Sequence, residues 1–122
     1  MNANSLIAIV DDDELVRTSL AGLLRSIGIG AEAFSSADSF LATDPDRFDC
    51  VVSDLQMPGM SGLELRRVLC ERHRAVPIII VTAYPERVPN VARSDGLHLL
   101  EKPVDSSQLI ACLESVLGRT AG

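Results

Sequence analysis

An α/β fold is predicted: five parallel strands, doubly wound in the order 2-1-3-4-5, with helices on both faces. Three observations predict it. Short β-rich apolar runs alternate with helical periodicity five times along the chain. One run, Ile78-Ile79-Ile80-Val81, has no polar alternation, as expected of a strand covered on both sides. The 122 residues, 47% hydrophobic and 23% charged, suit one domain with its own core, so 1–122 reads as a single domain with its core over about 5–118.

The elements follow in order. Leu6-Ile7-Ala8-Ile9-Val10 is the first strand and ends on Asp11-Asp12-Asp13. Val16, Leu20, Leu23, Leu24 and Ile27 recur at helical spacing, with Asp13 or Glu14 serving the N-terminus and Gly28 as the stop. Residues 31–34 give a short second strand, and Ser35 and Asp38 stand at capping-box spacing for a brief helix with Phe40 and Leu41. Cys50-Val51-Val52-Ser53 runs into Asp54. After the turn 57–62, a box of Ser61 and Glu64 opens a helix carrying Leu65, Val68 and Leu69. The run 78–81 ends at Thr82. Pro85 and Pro89 then restrict the backbone, and 90–94 leaves room only for a shortened or irregular fourth helix. Asp95-Gly96 is a turn and 97–100 a weak fifth strand. Leu109, Ile110, Leu113, Val116 and Leu117 mark an amphipathic last helix. Right-handed crossovers between such units leave a flavodoxin-like winding.

Composition removes several functions. Lys and Arg number 11 against 17 Asp and Glu, a net charge of -6, which argues against nucleic-acid binding. With no Trp and 3% aromatics, the core is expected to be aliphatic. Cys50, Cys70 and Cys112 are an odd set without C-x-x-C spacing and read as buried thiols in a reducing compartment. The N-terminus has no basic run and its apolar stretch is short, so neither signal peptide nor membrane span is expected, and a cytoplasmic location follows. Arg66, Arg67, Arg72, His73 and Arg74 read as a solvated helix face. His73 and His98 lack metal-ligand company, and Gly28-Ile29-Gly30 follows a helix without a third glycine, so it is no dinucleotide fingerprint.

The residues after the strands carry the chemistry. They are Asp11, Asp12, Asp54, Thr82 and, shortly after the fifth strand, Lys102. In a doubly wound sheet such ends share one crevice. Three carboxylates there repel one another and require a cation, and hard oxygen ligands with room for water suit Mg2+. Lys102 is the chain's only lysine beside ten arginines, which points to a compact charge at this place. Its bond to Pro103 is a candidate for the cis isomer.

The chain resembles the receiver domain of two-component response regulators, the CheY-like family, and within it the FixJ type. The resemblance rests on Ile9-Val10-Asp11-Asp12-Asp13, Asp54-Leu55-Gln56-Met57-Pro58-Gly59-Met60-Ser61-Gly62, Val81-Thr82-Ala83 and Glu101-Lys102-Pro103. It implies a signalling switch, not an enzyme with its own substrate, though one assisting its own phosphorylation and dephosphorylation. Asp54 is implied as acceptor of a phosphoryl group from a sensor histidine kinase or phosphotransfer protein. Asp11, Asp12, Asp54 and the Gln56 carbonyl are implied as holders of Mg2+, with Thr82 and Lys102 on the phosphoryl oxygens. Implied partners downstream are a target protein, a fused output domain such as a helix-turn-helix, or a second copy of the chain.

Gly59 and Gly62 are read as permitting the tight turn, and Ala83 as leaving room beside the phosphoryl group. Tyr84 either covers the site or shields loop surface, and Gln56 bears on the phosphoryl lifetime. Two departures stand out. Leu99 replaces the family's Tyr or Phe three residues before the lysine, and Val104 replaces a Phe. The stretch from Thr82 to Lys102 is also a couple of residues short. The face of the fourth helix and fifth strand is therefore expected to be rebuilt or partly disordered, with signalling through another surface. Two other classes compete. A haloacid-dehalogenase-like phosphatase needs a second Asp two residues after the first, where Gln56 stands. A flavin binder needs a phosphate loop after the first strand, where three aspartates repel phosphate.

Overall fold

The computed structural model describes residues 5–72, 76–89 and 97–117. Five strands form one sheet: β1 Leu6–Val10, β2 Gly30–Phe34, β3 Cys50–Asp54, β4 Ile78–Thr82 and β5 His98–Glu101. All neighbours are parallel, in the order β2-β1-β3-β4-β5. The helices are α1 Glu14–Ser26, α2 Ala37–Leu41, α3 Gly62–Arg72 and the last helix, α4 Ser106–Val116. Single 3-10 turns occupy Pro45–Arg47 and Pro85–Arg87. The shortened helix expected over 90–94, the turn at 95–96 and His73 lie outside the described residues. No helix among the described residues is long and apolar enough to cross a membrane.

The pleat sorts the strand side chains into two layers. Ala8, Val10, Val51, Ile78 and Ile80 face one way, onto Phe40, Leu65 and Leu69 of α2 and α3. Ile7, Ile9, Val52, Ile79 and Val81 face the other, onto Leu20 and Leu24 of α1 and Leu109 and Leu113 of α4. Each such buried aliphatic side chain contributes roughly 1.5–3 kcal/mol relative to exposure. This two-sided cover is what the unbroken apolar run of β4 called for.

Local signals held where a side chain meets its own backbone. Asp13 caps α1, its Oδ1 accepting from Leu15 N–H at 2.9 Å and Val16 N–H at 3.3 Å. The Ser61 N–H donates to Glu64 Oε1 at 3.0 Å and the Glu64 N–H to Ser61 Oγ at 3.2 Å, a complete capping box. The cap of α2 is Ser36, not Ser35. Its Oγ accepts the Ser39 N–H at 3.1 Å, and Ser39 Oγ donates back to the Ser36 carbonyl at 2.9 Å, so the serine pair outcompetes the Ser35–Asp38 spacing.

Three further expectations are corrected. Ile27 caps the end of α1 at 41% exposure, outside the core, because the helix stops at Ser26. Only Cys50 is buried; Cys112 is half-buried and Cys70 exposed. All three phenylalanines meet in one corner: Phe34, Phe40 and Phe48 pack edge to face with centroids 5.4, 5.5 and 5.9 Å apart. The corner nearest β2 is therefore aromatic, in a core that is otherwise aliphatic.

Candidate functional site

Parallel strands end on one edge of the sheet, and that edge collects the residues following β1, β3, β4 and β5. Asp11 follows β1 and is 2% exposed. Its N–H donates to the Phe34 carbonyl at 3.1 Å, its own carbonyl accepts from Arg17 Nη1 at 2.7 Å, and its Oδ1 accepts the Asp13 N–H at 2.9 Å. Asp54 is the last residue of β3, and Ser53 Oγ donates to its carbonyl at 2.9 Å. Asp12, next to Asp11, is exposed. The three carboxylates offer oxygens that all lie within 4.8 Å of one another.

Lys102 reaches the same point from the end of β5. Its Nζ lies 3.2 Å from Asp11 Oδ2 and 3.5 Å from Asp54 Oδ2. Its N–H donates to the Thr82 carbonyl at 2.8 Å, which registers the β5 end against β4, and the Lys102–Pro103 bond is cis. Thr82 is buried at the end of β4, one residue past the Asp54–Val81 pair. Its Oγ1 accepts the Tyr84 N–H at 2.9 Å. Gln56 is exposed in the loop after β3, and its Oε1 accepts from Arg87 Nη1 at 2.9 Å.

The electrostatics follow from this crowding. Burial pushes the Asp54 carboxyl above the ordinary aspartate range; Asp11 adds to the rise, and Lys102 opposes it without cancelling it. For Lys102, burial favours the neutral amine, but Asp11 and Asp54 outweigh it and raise the ammonium's pKa. One ammonium facing three carboxylates leaves surplus negative charge. That surplus, with close-set hard oxygen donors, fits a small divalent cation such as Mg2+.

Gly62 lets β3 and α3 approach closely. A Cβ there would lie 2.4 Å from the Asp54 carbonyl oxygen and 2.9 Å from Ile80 Cδ1. The need is for close approach, whereas Gly59, at φ +81°, is the residue that makes the turn. Gly62→Ala is expected to destabilise the chain by about 1–3 kcal/mol, because backbone must shift to admit one carbon. Urea unfolding measures it, and a loss under about 0.3 kcal/mol would show the approach to be slack.

Beside Lys102, which lines it, lies an apolar groove of about 510 Å³ with walls of Leu15, Val16, Leu20, Ala83, Pro103 and Val104. Leu15 stands 79% exposed at its edge. Arg87 was not foreseen at the site. It sits five residues past Thr82 in a Pro-containing turn, and no spacing pattern links such a position to Gln56.

A family model described as the response regulator receiver domain matches residues 7–114. The chain is 40% identical over 117 residues to the transcriptional regulatory protein FixJ of Azorhizobium caulinodans, covering 93% of this chain and 55% of that one. It is 35% identical over 118 residues to the response regulator protein TodT of Pseudomonas putida, covering 93% and 51%. The chain thus spans little more than half the length of these relatives. Among solved structures it resembles FixJ-N, with TM-score 0.84 and 34% identity over 100% of this chain and 99% of that one. It also resembles the response regulator StyR, with TM-score 0.85 and 36% identity over 94% and 60%.

Proposed function

The chain belongs to the response regulator receiver domain family, as a FixJ-type receiver of two-component signalling, and from that membership we propose that its whole length acts as one cytoplasmic phospho-acceptor module. Asp54 is the nucleophile. The observation that carries this reading is the gathering of Asp11, Asp12 and Asp54 within 4.8 Å, with Lys102 Nζ 3.2 Å and 3.5 Å from two of them.

A carboxylate oxygen of Asp54 bonds to the phosphorus of a partner histidine kinase's phosphohistidine as the P–N bond breaks, and the histidine leaves with a proton. Asp11, Asp12, Asp54 and the backbone carbonyl of Gln56 would hold Mg2+, which would supply neutralisation of the charge on the phosphoryl oxygens. Lys102 pairs with one phosphoryl oxygen. The Thr82 hydroxyl donates to another while still accepting the Tyr84 N–H, which links the phosphoryl group to the loop after β4. A modified Asp54 carries added charge and acceptor oxygens, and so favours the conformation in which Thr82 and Lys102 engage them.

The apolar groove with Leu15 at its edge is where the phosphodonor protein docks, since Lys102 of the site lines it. The receiving partner for the signal is a downstream protein or a fused output domain. Incubation with acetyl phosphate and Mg2+, followed by intact mass, is the test. One phosphoryl adduct that disappears when EDTA replaces Mg2+ supports the reading; a chain that stays unmodified, or is modified equally in EDTA, overturns it.

A further inference from the structure

Tyr84 and Gln56 are bound to each other through a single residue. Arg87 Nη1 donates to Gln56 Oε1 at 2.9 Å, and the same guanidinium lies 4.3 Å from the centroid of the Tyr84 ring. Gln56 is two residues past Asp54, and Tyr84 two past Thr82. Because β3 and β4 are adjacent and parallel, with Asp54 paired to Val81, the loops leaving them run side by side. Arg87 therefore ties together two loops that border the acidic cluster.

The tie is itself anchored. The Arg87 N–H donates to the Tyr84 carbonyl at 3.0 Å and the Val88 N–H to the Pro85 carbonyl at 3.1 Å, closing the 3-10 turn. Val88 is buried at 3% exposure and pins that turn to the core. At the other end the Tyr84 N–H bonds the Thr82 hydroxyl, so the bridge is wired to a residue of the site. Without Arg87, Gln56 and the half-exposed Tyr84 are ordinary surface side chains with free rotamers. A guanidinium can hold both, since its planar fork donates to an amide oxygen while its face stacks on a ring.

The geometry points to Arg87 as a positioning residue that holds Gln56 and Tyr84 as a closed rim and so slows the loss of a phosphoryl group from Asp54. This rests on the reading of Asp54 as phospho-acceptor. In the step it slows, a water oxygen bonds to phosphorus and the P–O bond to Asp54 breaks. Asp54 regains its carboxylate, and the water's protons leave on the inorganic phosphate. A rim that limits entry of that water lengthens the lifetime without touching the reacting atoms.

The test follows the adduct by intact mass after acetyl phosphate is removed. Arg87→Ala is expected to shorten its half-life roughly three- to tenfold, and Gln56→Ala similarly. Because both break one bridge, the double variant decays no faster than the faster single one. Arg87→Lys, which keeps the charge but not the stack, falls between. Tyr84 is the only tyrosine in a chain without tryptophan, so its emission reports the contact directly and changes in Arg87→Ala. A half-life in Arg87→Ala unchanged or longer, or effects that multiply in the double variant, overturns the inference alone. No adduct on the parent chain overturns the phospho-acceptor reading and this inference with it. Thermal midpoints within about 2 °C of the parent exclude unfolding as the cause of faster decay.

Discussion

Asp54→Asn yields a chain that takes no Mg2+-dependent adduct from acetyl phosphate and, without metal, is more stable than its parent at neutral pH. Both outcomes come from the same carboxylate. A carboxamide keeps the shape of the side chain at the end of β3 but offers no anionic oxygen to attack phosphorus. It also removes one of three charges crowded within 4.8 Å. Burial and Asp11 hold the Asp54 pKa above its unfolded value despite Lys102. Asp54's contribution to stability is thus complete below the ordinary aspartate pKa and is lost as pH rises through the raised one. The asparagine escapes that loss, so the stability gap between variant and parent opens on going from acid to neutral pH. Urea unfolding at several pH values with EDTA checks the second outcome, and intact mass the first. A variant that still gains the adduct would move the acceptor elsewhere. A variant less stable than its parent at pH 7 would mean that Lys102 wins the balance at Asp54.

Lys102→Ala is expected to slow phosphorylation by roughly 10²–10³-fold, the range for removing one preorganised group aimed at developing charge. The ammonium sits 3.2 Å from Asp11 and 3.5 Å from Asp54, so it is already in place before any phosphoryl group arrives. Its removal has a structural cost as well. Asp11, at 2% exposure, loses its cationic partner, and the metal-free chain is expected to weaken by about 1–3 kcal/mol. That figure sits below the range for fully buried pairs because the Lys102 side chain is 22% exposed. Added Mg2+ recovers part of the loss, since it neutralises the same carboxylates. Lys102→Arg keeps the charge but spreads it over a larger planar group, and is expected to recover stability more fully than rate. Stopped-flow phosphorylation and urea unfolding with and without Mg2+ separate the two effects. A rate within threefold of the parent would remove Lys102 from the chemistry.

Much of this was legible in the residues. The apolar run of β4, the five strands and the capping signals at Asp13 and Ser61 each depend on neighbours a few positions away, and each appears as read among the described residues. The acids were legible for another reason: parallel strands all end on one edge, so a list of strand ends is already a list of neighbours. Where the reading slipped, competition was local or distant. Ser36 displaced Ser35 because a second serine three residues on could return the hydrogen bond. Cys70 and Cys112 left the core because they fall on partly or fully exposed helix positions that composition cannot assign.

Sequence alone determined the sheet, its winding and the membership of the acidic cluster, since periodicity and chain direction leave little freedom there. Tertiary structure decided the rest. Phe34, Phe40 and Phe48 form one corner, Gly62 must stay bare against the Asp54 carbonyl, and Arg87 reaches back across 31 residues of chain to join Gln56 to Tyr84. These are meetings of side chains from separate elements, fixed by how strands stack and where loops return, and no period in the sequence encodes such distances.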